Sequence, residues 1–310
     1  MLNDIYHALS PIAFYIGPFA IRWYGLGYLA GIIIGGIIVY LTAKHWKIRL
    51  PADVLLTIIL ASALGIIIGG RLGYVLFYGN GYYFAHPLEV FAVSNGGMSF
   101  HGGVIGMVVA LAIVSKVDKI PLLTLGDLIV IGAPVGIFLV RCANFINGER
   151  WGAVTNLPWG VVFGGSAGNL PRQPSQLYEA VLEGLVIFIV MMILSRKVPA
   201  RPRGTFAGTF MLLYGIFRIA VEFVRQPDAQ IGYLFGGWLT MGMVLSAPLV
   251  ILGVIFLVYA HKKKKPQLGV FKKVEGGVQD APFDQAQDAK QDETQEPSKS
   301  THNVYKYEPK

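Results

Sequence analysis

Long apolar runs dominate the hydrophobic pattern of this chain, and short polar or basic segments separate them. A helix needs about 20 mostly apolar residues to cross the hydrocarbon core of a bilayer. Seven runs meet this requirement, near residues 18–43, 53–78, 98–116, 123–146, 176–195, 206–224 and 238–260. The pattern therefore predicts an all-α polytopic membrane protein with seven transmembrane helices.

The composition agrees with this class. Of the 310 residues, 54% are hydrophobic and only 14% are charged, whereas an ordinary soluble domain has about 25% charged residues.

Residues 1–10 contain no basic segment, and the first run is too long for a signal-peptide core, so we expect no cleavage. The single cysteine excludes an intramolecular disulfide, and the six histidines are scattered along the chain. We therefore expect neither a Cys/His metal site nor a cofactor.

The distribution of lysine and arginine predicts the orientation. Alternate connections between the runs are basic: 44–51, 115–120, 195–203 and 261–265. The other connections are not, since 79–97 has no Lys or Arg and 147–175 has only Arg150 and Arg172. Because basic short loops stay in the cytoplasm, the N-terminus is expected outside and the C-terminus inside.

A change in composition near residue 262 predicts two regions. Residues 1–261 form the expected seven-helix transmembrane domain, and residues 262–310 form a basic and then polar cytoplasmic tail. The tail has too few apolar residues to offset its ordering entropy, so we expect it to be disordered. The net charge of +8 reflects this topology, and we expect a monomer with no nucleic-acid partner.

Polar side chains within the predicted helices concentrate in the halves near the outer face. They come from five runs: Arg22, Tyr24, Arg71, His101, Arg141, Asn144, Tyr214, Arg218 and Glu222. Any one of them could be a snorkelling side chain or a structural ion pair. Together they predict a hydrated cavity open to the outer leaflet, and the excess of arginine over carboxylate favours an anionic ligand.

Residue spacing supports convergence on one cavity. Tyr214, Arg218 and Glu222 are four apart and share one stripe of their helix. Arg141 and Asn144 share a face of another helix, and Glu149 follows just beyond it.

Two glycine patterns have different interpretations. Ala61, Gly65, Gly69 and Gly73 form a small-xxx-small pattern that is typical of close helix packing. "GGMSFHGG" at 96–103 fits either backbone laid against a ligand or a flexible joint at a helix entry.

Three segments, "RCANFINGERWG", "GGMSFHGG" and "YGIFRIAVEFVRQPD", resemble the prolipoprotein diacylglyceryl transferase family. The resemblance extends over about residues 10–260 and rests on the signature Gly-Arg-x-Gly/Ala-Asn-Phe-x-Asn-x-Glu-x-x-Gly. Val140 stands where the signature has glycine, and its polar positions are met by Arg141, Asn144, Asn147 and Glu149.

The resemblance implies transfer of a diacylglyceryl group from phosphatidylglycerol to the lipobox cysteine thiol of a preprolipoprotein, with glycerol phosphate released. The implied location is the bacterial inner membrane, with the active site toward the outer leaflet. Planar guanidinium groups suit the departing phosphate, a role that we assign to Arg141 and Arg218. His101 is a candidate base for the thiol or, alternatively, a hydrogen-bond donor.

The remaining candidates have supporting roles. We expect orienting donors at Tyr24, Asn144 and Tyr214, arginine partners at Glu149 and Glu222, and a fixed turn at Gly152. For Arg22 and Arg71 we favour interfacial anchoring. Cys142 follows Arg141 by about 100° around the helix, so we expect it to face a neighbouring helix.

Two other classes of protein are alternatives. An anion or lipid transporter would also line a cavity with arginines, but it needs a path to the inner face, where these helices have almost no charge. A metal-dependent phosphotransferase needs clustered acidic residues in the cavity. Asp53 and Asp127 lie instead near the inner helix ends, where N-terminal capping explains them.

Overall fold

The computed structural model describes residues 1–79, 81–92, 97–227, 232–269, 273–274 and 277–278. Most of this part of the chain is helical. The helices are α1 Leu2–Ala8, α2 Trp23–His45, α3 Ala52–Tyr78, α4 Tyr82–Ala85, α5 Phe100–Val117, α6 Leu122–Ile146, α7 Ser175–Glu179, α8 Ile187–Ser195, α9 Thr205–Glu222 and α10 Met241–Lys263. A π-helical segment, Ala180–Val186, joins α7 to α8.

Among the described residues, six helices are long and apolar enough to cross a membrane. They are Trp23–His45, Ala52–Phe77, Leu122–Ile146, Ser175–Ser195, Thr205–Glu222 and Met241–Lys263. The run predicted at 98–116 corresponds to α5, whose described apolar part, Gly102–Val117, is shorter. The multi-pass helical class is therefore confirmed, and the count of seven spans stays a prediction.

A small hairpin corrects the all-α prediction. Strand β1, Ile12–Ile16, pairs antiparallel with β2, Phe19–Arg22, and Gly17 has a φ of +56° in the turn. The first predicted run, 18–43, therefore begins in a strand, and its helix begins only at Trp23. The cause is local, because the Gly17–Pro18 pair favours a tight turn and reverses the chain before the helix. Two further short strands, β3 Lys273–Val274 and β4 Gly277–Val278, lie in the predicted tail.

Glycines set the closest helix contacts. A Cβ atom on Gly31 of α2 would lie 2.7 Å from the Cα of Gly136 on α6. A Cβ on Gly69 of α3 would lie 2.7 Å from the Cα of Gly106 on α5. Small residues let helix backbones approach in a bilayer, where the hydrophobic effect does not drive association. The packing interpretation of the α3 glycines is therefore confirmed.

Helix α6 lies at the centre of the bundle. Its residues Leu125, Leu128 and Ile131 are fully buried, as are Ile187 of α8 and Phe206 of α9. Because α6 also packs against the π segment and α9, side chains near its C-terminus reach residues on both of those neighbours.

The opposite end of α6 has a buried carboxylate, Asp127. It accepts hydrogen bonds of 2.7 Å from the amides of Gly204 and Ala207, so it caps the start of α9 and not its own helix. Gln267 donates to it at 2.6 Å. Residues 264–269, which follow α10, therefore lie against the bundle, and the predicted boundary at 261/262 stays a prediction.

Candidate functional site

Two arginines from different helices meet around one buried carboxylate. Glu179, at the end of α7, lies 2.9 Å from Nε of Arg141 on α6 and also pairs with Nη1 of Arg218 on α9. Glu183, one turn further along the π segment, lies 3.6 Å from Arg141 and 3.9 Å from Arg218. Three helical elements therefore meet at this point.

Glu222 extends the network toward the end of α9. It lies 2.6 Å from Arg218 and 3.1 Å from Arg225. The hydroxyl of Thr240 donates to its other oxygen at 2.5 Å. The expected role of Glu222 as a partner of arginine therefore agrees with the geometry. We call the six residues Arg141, Glu179, Glu183, Arg218, Glu222 and Arg225 the arginine–glutamate cluster.

The cluster contains three arginines and three glutamates, so the excess of arginine expected from the sequence is absent within it. The positive and negative side chains of the cluster differ in how deeply they are buried. The side chains of Arg141 and Arg218 are 18% and 13% exposed, whereas those of Glu179 and Glu183 are 0% exposed. Among the described contacts, Nη1 of Arg141 has no partner. The carboxylates thus lie behind the arginines, which keep donors near the accessible side.

The turn after α6 brings the signature asparagines together. Gly148 has a φ of +66°, which folds the chain back so that Glu149 reaches the helix end. Glu149 accepts hydrogen bonds from Asn144 at 2.7 Å and from Asn147 at 3.4 Å. In the described part of the chain it has no arginine partner, so that expectation for Glu149 is corrected.

Two side chains at the start of α7 fix this turn from the other side. Gln176 is fully buried and donates to the carbonyl of Glu149 at 2.6 Å. The hydroxyl of Ser175 donates to the carbonyl of Arg150 at 2.9 Å. Neither residue was a candidate from the sequence.

Gly152 lies in extended backbone and not in the expected turn. It forms an isolated bridge with Arg225, and its amide donates to Gln173 at 2.8 Å. A Cβ atom here would lie 2.5 Å from both the Gln173 Cβ and the Val224 carbonyl oxygen. Glycine is needed because two chain segments approach this backbone from both sides.

The two candidate tyrosines lie on two different helices that contact α6. Tyr24 of α2 shares a 3.2 Å hydroxyl contact with Tyr28 and is near enough to Glu149 for electrostatic interaction. Tyr214 of α9 stacks on Phe210 and interacts electrostatically with Arg141 and Glu183. Tyr214 therefore borders the arginine–glutamate cluster. Tyr24 borders the turn at residues 147–149 after α6, which we call the signature turn.

His101 lies in the first turn of α5, and its side chain is outside the described residues. The following Gly102 packs against Gly73, where a Cβ would lie 3.0 Å from the Gly73 Cα. An apolar groove of about 570 Å³ runs along α3 and α5, and Gly73 and Gly102 line it together with Leu72.

Arg71 differs from the expected interfacial anchor. It is buried and donates to the carbonyls of Val90 at 2.7 Å, Glu89 at 2.5 Å and Gly97 at 3.1 Å. It therefore holds these three described residues of the connection between α3 and α5 against α3. Arg22 is exposed and precedes α2.

Sequence reasoning missed Glu179, Glu183 and Arg225. A signal for the two glutamates was present, since they are four residues apart in an otherwise apolar run and an ionisable residue at membrane depth is costly. Arg225 follows α9, where the apolar run has ended, and its backbone forms a bridge with Gly152.

Comparison with known proteins agrees with this geometry. The sequence profile described as prolipoprotein diacylglyceryl transferase matches residues 11–259. Proteins of Brucella canis and Brucella ovis named phosphatidylglycerol–prolipoprotein diacylglyceryl transferase are each 49% identical over 255 residues, covering 79% of this chain and 90% of theirs. The chain therefore belongs to the prolipoprotein diacylglyceryl transferase family.

Proposed function

We propose that this protein transfers the diacylglyceryl group of phosphatidylglycerol to the lipobox cysteine thiol of a preprolipoprotein. The sulfur forms a thioether bond to the glyceryl carbon, the bond from that carbon to the phosphate oxygen breaks, and glycerol phosphate leaves with the electron pair. Family membership supports the reaction. The observation on which it chiefly depends is the pair Arg141 and Arg218, held by one buried glutamate.

The arginine pair suits a departing phosphate. Both arginine side chains are partly exposed, while the side chain of their shared partner Glu179 is buried. A positioned guanidinium donates two parallel hydrogen bonds to phosphate and stabilises the charge that develops as the bond to carbon breaks. Ion pairs with Glu179 and Glu222 hold the two arginines near each other in advance, so little reorganisation is needed when the lipid binds.

The thiol must lose its proton before or during the attack. A free thiol has a pKa near 8.5 and reacts as the thiolate. His101 is our candidate for the base, with hydrogen bonding to the lipid as its alternative role.

The signature turn supplies groups that orient the substrates. Asn144 and Asn147, both bonded to Glu149, present amides of fixed orientation. Tyr24 and Tyr214 place hydroxyl donors on either side. The bridge between Gly152 and Arg225 holds the chain that follows this turn next to the end of α9.

We further propose seven membrane spans, an outside N-terminus and a cytoplasmic C-terminus. The chain is expected to act as a monomer in the bacterial inner membrane, with its site toward the outer leaflet. The basic connections 44–51 and 195–203 support this orientation. The arginine–glutamate cluster lies near the opposite helix ends, where an exported substrate arrives.

The reaction can be tested with purified components. The protein is incubated with phosphatidylglycerol and a lipobox peptide, and the peptide is examined by mass spectrometry for a diacylglyceryl adduct. We expect an adduct with the cysteine peptide and none with the matched serine peptide. No adduct from folded protein with both substrates present would contradict the proposal.

A further inference from the structure

A basic site lies at the other end of the bundle from the arginine–glutamate cluster. A cavity of about 160 Å³ occurs where α2 ends and α3 begins, lined in part by Tyr40, Lys44, Arg49 and Ala52. This volume exceeds what one water molecule needs. Gly27 of α2 packs against Leu139, close to Arg141 on α6, and so marks the level of the cluster. Lys44 lies 17 residues further along α2. At 1.5 Å per residue, the cavity is therefore about 25 Å from the cluster along the helix axis.

The cavity has donors that are available to an anion. Lys44 and Arg49 are exposed, and within the described ranges neither side chain has a hydrogen-bond or ion-pair partner. The 27-residue helix α3 begins here after Pro51, so the amides of its first turn also point toward the cavity end. Asp53 lies in the same turn, which leaves two cations against one carboxylate.

Apolar surface continues from the cavity along both helices. On α2, Ile33 and Ile37 are exposed and share a face with Tyr40. On α3, Leu56 and Leu60 are exposed and follow Ala52 at intervals of four. The helices touch between these faces, because a Cβ on Gly36 would lie 3.1 Å from Ile59. The two faces thus form the sides of an apolar furrow.

We propose that this site binds an anionic phospholipid, with its phosphate at Lys44 and Arg49 and its acyl chains along the furrow. Basic pockets at the cytoplasmic ends of membrane helices suit such headgroups. A free phosphate ion would use the same cations but leave the furrow unused, so the combination favours a lipid. This site is separate from the proposed catalytic site.

Lipid counting by intact-protein mass spectrometry tests this proposal. Delipidated full-length protein in detergent is titrated with dioleoyl phosphatidylglycerol. We expect the Lys44→Gln/Arg49→Gln variant to retain one lipid fewer than wild type at the same lipid concentration. Ala52→Trp keeps both charges and fills the cavity, so it should lose the same lipid. Any lipid bound in the catalytic site is counted equally in wild type and variants, so it does not affect the difference in lipid count between them.

The matched control is Lys262→Gln/Lys263→Gln, which removes equal charge from exposed positions at the end of α10. It should bind as many lipids as wild type. Dioleoyl phosphatidylcholine should show no difference between wild type and the cavity variants, and glycerol phosphate should not displace the lipid. Equal phosphatidylglycerol counts in wild type and the cavity variants would overturn the proposal. Loss in the control, or displacement by glycerol phosphate, would overturn it as well.

Discussion

Charged residues at membrane depth require close partners, and Glu179 supplies one to both Arg141 and Arg218. Its side chain is fully buried, so its negative charge depends on these arginines. Without it, the two guanidinium groups would repel each other with less compensation. The position of each arginine is therefore set by a residue on a third element.

Replacing Glu179 by glutamine tests this dependence. The shape is kept but the charge is lost, and removing one member of a buried ion pair commonly costs about 3–5 kcal/mol. We expect a markedly lower melting temperature and a large loss of transfer activity. Glu89→Gln is the control, since Glu89 is only half-buried and accepts from the Tyr82 hydroxyl, which glutamine also permits. Equal melting of the Glu179 variant and wild type would contradict the account.

Gly152 offers a steric test. A methyl group there meets the Gln173 Cβ and a backbone carbonyl at 2.5 Å, and such overpacking costs about 1–3 kcal/mol. Gly152→Ala should therefore destabilise the protein and lower turnover. Gly126→Ala on α6 has nothing within 4 Å, and alanine is favoured in helices by about 1 kcal/mol. The two variants should shift the melting temperature in opposite directions, and equal shifts would refute the steric explanation.

The sequence predicted many of these residues but not all of their partners. Arg141, Arg218 and Glu222 stand out because charges are rare in apolar runs. The pairing of Glu149 with Asn144 could not be foreseen, since it depends on the left-handed conformation of Gly148.

At the scale of elements, apolar length predicted the helices well. The expected run 123–146 is α6 to within one residue, and 53–78 is α3. The β1–β2 hairpin was missed because its strands are as apolar as the helix that follows. Composition cannot separate them, and the turn at Gly17 decides where the helix begins.

The segment after α10 is an element whose effect can be tested by truncation. Gln267 donates to buried Asp127, and the backbone amide of Arg203 donates to the carbonyl of Lys265 at 2.9 Å. Removing residues 264–310 should lower the melting temperature by about 3 °C or more, since a hydrogen bond to a charged group contributes about 1.5–3 kcal/mol. Removing only 270–310 should leave melting and lipid transfer unchanged. Loss of activity in the shorter truncation, with normal insertion, would show that the tail has a catalytic role.

At the scale of the whole molecule, the two ends of the bundle differ in charge. One end has the balanced arginine–glutamate cluster, and the other has basic connections such as 44–51 and 195–203. Because basic loops stay in the cytoplasm, this asymmetry predicts which leaflet the cluster faces.

Thiol labelling of single-cysteine variants in intact cells tests the orientation. Cysteines introduced in 150–172 should react with an impermeant reagent, and those in 44–51 and 195–203 should react only after lysis. The native Cys142 is replaced in this background. Labelling of 150–172 only after lysis would place the cluster at the wrong leaflet.

The central claim is that Arg141 and Arg218 together bind the departing phosphate. Lysine keeps the charge at either position but loses the planar pair of donors. The decisive measurement is thioether formation per folded enzyme for wild type, Arg141→Lys, Arg218→Lys and the double variant. We predict normal insertion and a loss of about 100-fold or more for each single variant, as is common for a preorganised donor. The fold loss of activity in the double variant should be smaller than the product of the two single-variant losses, because the arginines share one phosphate. A near wild-type rate for Arg141→Lys would contradict the account and leave Arg141 as an anchor of the helix end.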